Sequence, residues 1–284
     1  WTTTSISSWH SKSCSIKKRK MPEIQANGIK IYYELHGPED GEVLVLSNGI
    51  MMSVASWAFQ TAALSKHMRL LLYDCRGMWR SEHPAGPYSM EQHADDLAAL
   101  LDVLEIQKAH IGGISYGSEV SMEFAIKYPQ KTKSLIVIDG VSQIDPLLKA
   151  QSLPWLMAAE RNDPELLLRT SVHLNFSEDW IATHQDYIEA SVENFAKIDM
   201  PAFVELMKSF YNLDLTDRLS HISAPTLIIV GENDLIKGRK YSQIMADHIP
   251  QAEYVIVPGS GHALCLDKPD ILNTLLIGFV KKNR

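Results

Sequence analysis

Cysteine is scarce in this chain, and the little present does not group. Cys14, Cys75 and Cys265 are spread over 284 residues. An odd, scattered set excludes a disulfide framework and a thiolate zinc site, and fits a reducing compartment, the cytoplasm. Long apolar runs are missing too. None nears the ~18 residues a bilayer crossing needs, so no membrane span is expected. Basic charge is thin outside the first twenty positions. Setting aside Lys12, Lys17, Lys18, Arg19 and Lys20 leaves 22 basic residues against 34 acidic ones, a net charge of −12. A surface of that sign repels nucleic acid and anionic lipid, which excludes both as partners. His83, His93 and His110 are not at ligand spacing from one another, so surface or strand-end roles are expected for them and no metal site is expected. There is no internal repeat and no low-complexity tract.

Residues 1–20 stand apart. They are rich in Ser and Lys, carry no acid, begin with Trp and are followed by Met21. They are expected to be a leader or a vector-encoded extension; the composition is similar to an organellar transit peptide, without the apolar core of a secretory signal.

What is present is an alternation of two periods. Ile29, Ile31, Tyr33 and Leu35 alternate as an edge strand does. The continuous apolar runs Val43–Leu46, Arg69–Tyr73, Leu135–Ile138, Thr226–Val230 and Tyr254–Val257 suit strands covered on both faces. Helical stretches separate them: Trp57–Leu64, Tyr88–Leu104 with a Ser89 cap, Glu119–Tyr128, Arg239–His248 and Pro269–Lys281. Strand and helix in turn imply an α/β fold with a mostly parallel central sheet flanked by helices. From about Gln143 to Leu213 no strand is expected. That stretch is helical in period, aromatic, and punctuated by Pro146, Pro154, Pro164 and Pro201. A connection that long needs structure of its own, so residues 143–214 are expected to form an inserted helical lid. Residues 21–142 and 215–284 then form the core.

One stretch organises the chain. His110 to Gly117 reads His-Ile-Gly-Gly-Ile-Ser-Tyr-Gly, a short apolar run entering Gly113-Ile114-Ser115-Tyr116-Gly117. A strand, an abrupt glycine turn and a helix with serine at the apex give G-x-S-x-G its mechanism, a strained hydroxyl held clear of the sheet. The pattern alone is common; chance places it in roughly one chain in ten. A serine nucleophile also needs a base, and the base needs a group to orient it. Asp234 follows one apolar run within Gly231-Glu232-Asn233-Asp234. His262 follows the next within Gly259-Ser260-Gly261-His262. Both positions lie where open α/β sheets hold their ligands. Asp139 also ends a strand and is a rival for the acid, with a cap of the lid's first turn as its alternative.

With those residues the chain resembles the α/β-hydrolase superfamily, in the small lid-bearing branch of serine esterases and 3-oxoadipate enol-lactonase-like lactonases. The likeness covers about residues 22–282. It implies an α/β-hydrolase fold in which Ser115 is the nucleophile, Asp234 the acid and His262 the base. It also implies an oxyanion hole of the backbone N–H groups of Ile50 and Tyr116, and no cofactor. The family's His-Gly before the oxyanion loop is Asn48-Gly49 here. Its Asp-x-Arg-Gly-x-Gly-x-Ser appears as Asp74, Arg76, Gly77 and Ser81, with Trp79 at the second glycine. Asn48, Met51, Trp79, Trp155, Met157 and Phe203 are expected around the substrate pocket. Ser115 argues against halide- and epoxide-cleaving relatives, which carry aspartate there. The short oxyanion loop argues against carbon–carbon bond hydrolases. The expected activity is carboxylic-ester hydrolysis of small to medium hydrophobic esters, with a lactone, N-acyl homoserine lactone or enol-lactone, as the alternative partner. A receptor that binds without turnover is the alternative of another class.

Overall fold

Largely apolar strands must be covered on both faces, and five neighbouring strands here are buried along nearly their whole length. The computed structural model describes residues 23–284, so the expectation for residues 1–20 falls outside the described residues. Eight strands form one sheet: β1 (Glu23–Ala26), β2 (Ile29–His36), β3 (Val43–Ser47), β4 (Arg69–Tyr73), β5 (Ala109–Ile114), β6 (Thr132–Ile138), β7 (Thr226–Gly231) and β8 (Glu253–Val257). Their order is β1-β2-β4-β3-β5-β6-β7-β8. Every pairing from β4 to β8 is parallel, while β2 runs antiparallel to both β1 and β4. The expected edge strand, β2, is therefore one place in from the edge. Asn27 and Gly28, with φ of 49° and 79°, turn the chain back so that β1 covers it. Two left-handed residues of this kind suit a two-residue hairpin.

Alternate residues of the central strands feed opposite cores. Val45, Ile111, Leu135, Val137 and Ile228 face one way. Leu44, Leu46, Ile136, Ile138 and Ile229 face the other. The first core is closed by α2 (Met90–Val103), α3 (Tyr116–Lys127) and α9 (Arg239–His248). The second is closed by α1 (Ala58–Leu64), α10 (Leu264–Asp267) and α11 (Pro269–Lys282). Since β3, β5, β6, β7 and β8 are parallel, their C-terminal ends share one edge of the sheet. The residues that follow each strand meet there.

Between β6 and β7 stand the five remaining helices: α4 (Pro146–Glu160), α5 (Pro164–Asn175), α6 (Glu178–Thr183), α7 (Gln185–Phe195) and α8 (Met200–Tyr211). The two ends of this insertion join at an isolated bridge between Gln143 and Asp214 and by Leu215 N–H donating to Ser142 O at 2.7 Å. Its prolines start helices more than they stop them. Asp145, Asp163 and Asp199 cap α4, α5 and α8 by accepting a backbone N–H, and a proline occupies the first or second helical position in each. Proline is tolerated there because that N–H has no partner inside the helix. Pro154 alone lies within a helix, α4.

Candidate active site

Ser115 stands between β5 and α3 with φ 55° and ψ −122°, in the left-handed region that costs a non-glycine residue energy. The turn closes only because its flanking residues lack side chains. A Cβ on Gly113 would sit 2.3 Å from Gly117 O, and one on Gly117 would sit 2.1 Å from Ser47 O. The strained turn is pinned by Ser115 N–H donating to Ile138 O at 2.9 Å. Helix α3 starts immediately after Ser115, three residues earlier than the apolar period suggests. The N–H of Tyr116 is its first and has no acceptor within the helix.

Beyond β7 the carboxylate of Asp234 is fully buried. Its Oδ1 accepts the N–H groups of Ile236 and Lys237, both at 2.8 Å. Its Oδ2 lies 2.7 Å from Nδ1 of His262, which follows β8. Among the described residues that is the imidazole's one hydrogen bond, so Nε2 is left to other partners. The segment bearing His262 is itself clasped to the insertion. Asp267 accepts Gly261 N–H at 2.7 Å and Ser177 Oγ–H at 3.1 Å, and Ala263 N–H donates to Asn175 O at 2.6 Å.

Ser115 and His262 face one cavity of roughly 150 Å3. Its floor is Gly49 to Met52 and Ile114. Its walls come from the insertion: Trp155, Leu168, Val172, Phe176, Tyr187, Ile188 and Phe195. Of the residues expected around a pocket, Met51 and Trp155 line this cavity, as does Ile50. Four do not. Met157 is 41% exposed on the outer side of α4. Two residues on from Trp155 is about 200° round a helix, so the two cannot face the same way. Phe203 and Trp79 flank a separate small cleft with Ile50, Ile198 and Leu206. Asn48 is fully buried behind the loop. Its Nδ2 donates to Asp74 Oδ1 at 3.2 Å, and its Oδ1 accepts the Trp57 indole N–H at 2.8 Å. Asp74 also accepts Val54 N–H at 2.7 Å, so Asn48 and Asp74 together brace both ends of the Gly49–Ser53 loop. Trp79 takes φ 46°, a backbone that glycine adopts freely, which accounts for glycine at that place in the family pattern.

Asp139, the rival acid, does not bond to His262. Its Oδ1 accepts Gly231 N–H at 2.8 Å, tying β6 to β7. Of the three histidines expected at the surface or at strand ends, His83 is half-buried beside Asp199 and His110 stands at the start of β5, whereas His93 is inside a helix. His93 is buried in α2 with its Nε2 2.8 Å from Tyr116 OH, and His110 is buried with its Nδ1 2.7 Å from Ser134 Oγ. One buried ion pair beside the site was not anticipated. Lys237 Nζ lies 3.0 and 2.8 Å from the two oxygens of Glu119, in the first turn of α3. Glu119 Oε1 also accepts Val141 N–H at 3.0 Å, so one carboxylate links the serine turn, the root of the insertion and the Asp234 loop. Burial still pushes its pKa up despite the lysine. No helix among the described residues is long and apolar enough to cross a membrane.

Residues 42–269 match the model of the family described as alpha/beta hydrolase fold. Over 268 residues the chain is 30% identical to the "Putative carbamate hydrolase RutD" of Pantoea ananatis, covering 89% of this chain and 94% of that one. It superposes on the enol-lactonase of Burkholderia xenovorans LB400 with a TM-score of 0.86 at 26% identity, over 92% of this chain and all of that one. A thermophilic esterase from Thermogutta terrifontis gives a TM-score of 0.83 at 26% identity, over 93% and 98% of the two chains.

Proposed function

The chain belongs to the alpha/beta-hydrolase fold family, and from that premise we propose that it is a serine hydrolase of small to medium hydrophobic carboxylic esters. The reading rests on one observation. The cavity that holds Ser115 also holds His262, whose far ring nitrogen is tied to a buried carboxylate at 2.7 Å.

The chemistry follows. Nε2 of His262 takes the Ser115 hydroxyl proton as Oγ attacks the acyl carbon, and the carbonyl π pair moves onto oxygen. The N–H groups of Ile50 and Tyr116 receive that oxyanion, each worth about 3–4 kcal/mol to the transition state. Asp234 fixes the imidazole tautomer through Nδ1 and stabilises the cation. The C–O bond to the alcohol then breaks, and the leaving oxygen takes the proton from Nε2. Water repeats the sequence on the acyl-serine and releases the acid. In the free protein Ser115 and His262 are not hydrogen-bonded; such contacts often tighten only when a carbonyl is bound.

The apolar walls, which include Phe176, Tyr187, Ile188 and Phe195, favour an acyl chain over a small polar group. A lactone is an internal ester, and the likeness to an enol-lactonase over 92% of the chain supports ring opening as the second reading. Turnover of p-nitrophenyl butyrate, acyl homoserine lactones, an enol-lactone and an alkyl carbamate, each with Ser115→Ala as control, tests both. Ester turnover abolished by Ser115→Ala is the expected result. Binding without turnover, together with no labelling of Ser115 by a fluorophosphonate, would refute the enzyme and favour a receptor.

A further inference from the structure

Asp139 has no part in the reaction as derived, yet the fold goes to some expense to hold it. It follows β6 directly, is fully buried, and takes φ 49°, a strained backbone for a residue with a side chain. Its N–H donates to Ile229 O at 2.9 Å and its Oδ1 accepts Gly231 N–H at 2.8 Å, so the carboxyl is fixed against β7. Its Oδ2 is buried with no donor.

What lies beside it is another carboxyl. One oxygen of Asp139, one of Asp234 and one ring nitrogen of His262 all fall within 4.8 Å of one another. The one cation on the adjoining elements, Lys237, is the weakest of the influences on the ionisation of Asp139. The Lys237 ammonium is held by Glu119. Cys265, beyond His262, is a thiol whose pKa burial raises to about 12. His262 already bonds to Asp234. Two anions buried within 4.8 Å of each other, with the nearest cation already paired, do not persist; one of them keeps a proton. Asp234 faces three N–H groups, from Ile236, Lys237 and His262, whereas Asp139 faces one. Donors favour the charged form, so the proton belongs to Asp139. Burial and the neighbouring Asp234 raise its pKa well above the carboxylate range. Because Oδ1 is occupied as an acceptor, Oδ2 is the atom that carries the hydrogen.

We propose that Asp139 is a permanently neutral acid whose Oδ2–H donates to the Asp234 carboxylate. It is a positioning residue: it fixes Asp234 against His262 and keeps a second negative charge away from the imidazole. Its proton stays in place through the cycle. The inference rests on the reading that Asp234 and His262 serve Ser115.

Asp139→Asn keeps the size and a donor but cannot be charged at any pH. In that variant the acid-side midpoint of kcat/KM is expected to stay within ~0.3 pH unit of the wild type. Were Asp139 ionised, removing a charge so close to the imidazole would lower that midpoint by about one pH unit or more, and that result overturns the proposal. A second readout needs no turnover. The infrared spectrum of the wild type at neutral pH should contain the carbonyl stretch of a protonated carboxylic acid. That band is assigned by its loss in Asp139→Asn, or in Asp139→Ser should the amide variant not fold. Its absence from the wild type also overturns the proposal. A wild type that turns over no ester or lactone would remove the proposed function, while the infrared band would still decide where the proton is.

Discussion

Lys237→Met replaces a charged side chain by an apolar one of similar length, and is nonetheless expected to destabilise the protein severely. Lys237 is 3% exposed and Glu119 is fully buried. The ammonium makes both of its hydrogen bonds to that one carboxylate and sits 4.5 Å from the centre of the Phe210 ring. After substitution Glu119 keeps only the Val141 N–H. Stranding one partner of a buried pair costs about 3–5 kcal/mol. At roughly 2–4 °C per kcal/mol for a domain of this size, the melting temperature should fall by about 6–20 °C. The pH dependence carries a sign. Glu119 has a folded pKa raised above its ordinary 4.5, and without Lys237 it is raised further. An acid that resists ionising costs stability only above its unfolded pKa, so the loss should be larger at pH 8 than at pH 5. Glu119→Leu with Lys237→Met removes both charges and should recover most of the deficit. Scanning calorimetry of wild type, single and double variants at both pH values reads this. If the single and double variants melt together, the stranded charge is not the cause and the reasoning fails.

Asn48→Leu leaves the Trp57 indole N–H and the Asp74 carboxylate each short of a partner, at about 1–3 kcal/mol apiece. The urea midpoint should drop, and kcat should fall more than KM rises because the loop proposed to supply the Ile50 oxyanion donor loses its brace. His110 is held by burial to a pKa of about 4, against 6.5 for an ordinary histidine. Below pH 6.5 the unfolded chain binds a proton that the folded chain refuses, so stability falls as pH drops toward 4, by up to ~1.4 kcal/mol per pH unit. His110→Gln should flatten that slope in urea titrations between pH 6.5 and 4.5; an unchanged slope refutes the assignment. Asp234→Asn should lower kcat with little change in melting temperature, since the amide oxygen can still accept from Ile236 and Lys237.

The central sheet was legible because its strands are apolar throughout and bounded by glycine turns. The five runs expected as strands all appear, with β6 beginning three residues earlier, at Thr132, but β8 is an edge of the sheet with only Val257 buried and is not covered on both faces. Ser115, Asp234 and His262 were legible for the same local reason, each following a strand in a glycine-assisted turn. The hairpin at Asn27-Gly28 carried a signal, an Asn-Gly pair before an alternating run, that the reading of β2 as an edge left unused. The pocket walls were not legible. Which side of α4 faces inward depends on how it packs against α5 and α8, and composition cannot tell Trp155 from Met157. The Glu119–Lys237 pair joins residues 118 apart in sequence, and polar residues on a helix and a loop read as solvated until tertiary packing encloses them. Asp139 was visible as a strand-end acid, but its contact with Asp234 needs the β6–β7 pairing.

The clasp at Asp267 limits how this cavity can ever open. The junction of α5 and α6 is tied to the very segment that carries His262, so swinging it away would drag the imidazole off its seat. The opposite end is pinned where Ser142 meets Leu215. The thinnest wall is α7, in which Ile188 is the one buried side chain, Tyr187 is half in solvent, and Glu189 accepts two hydrogen bonds from Arg169 of α5 at 2.6 and 2.7 Å. Any widening that leaves His262 in place therefore falls to α7, at the expense of the Arg169–Glu189 pair.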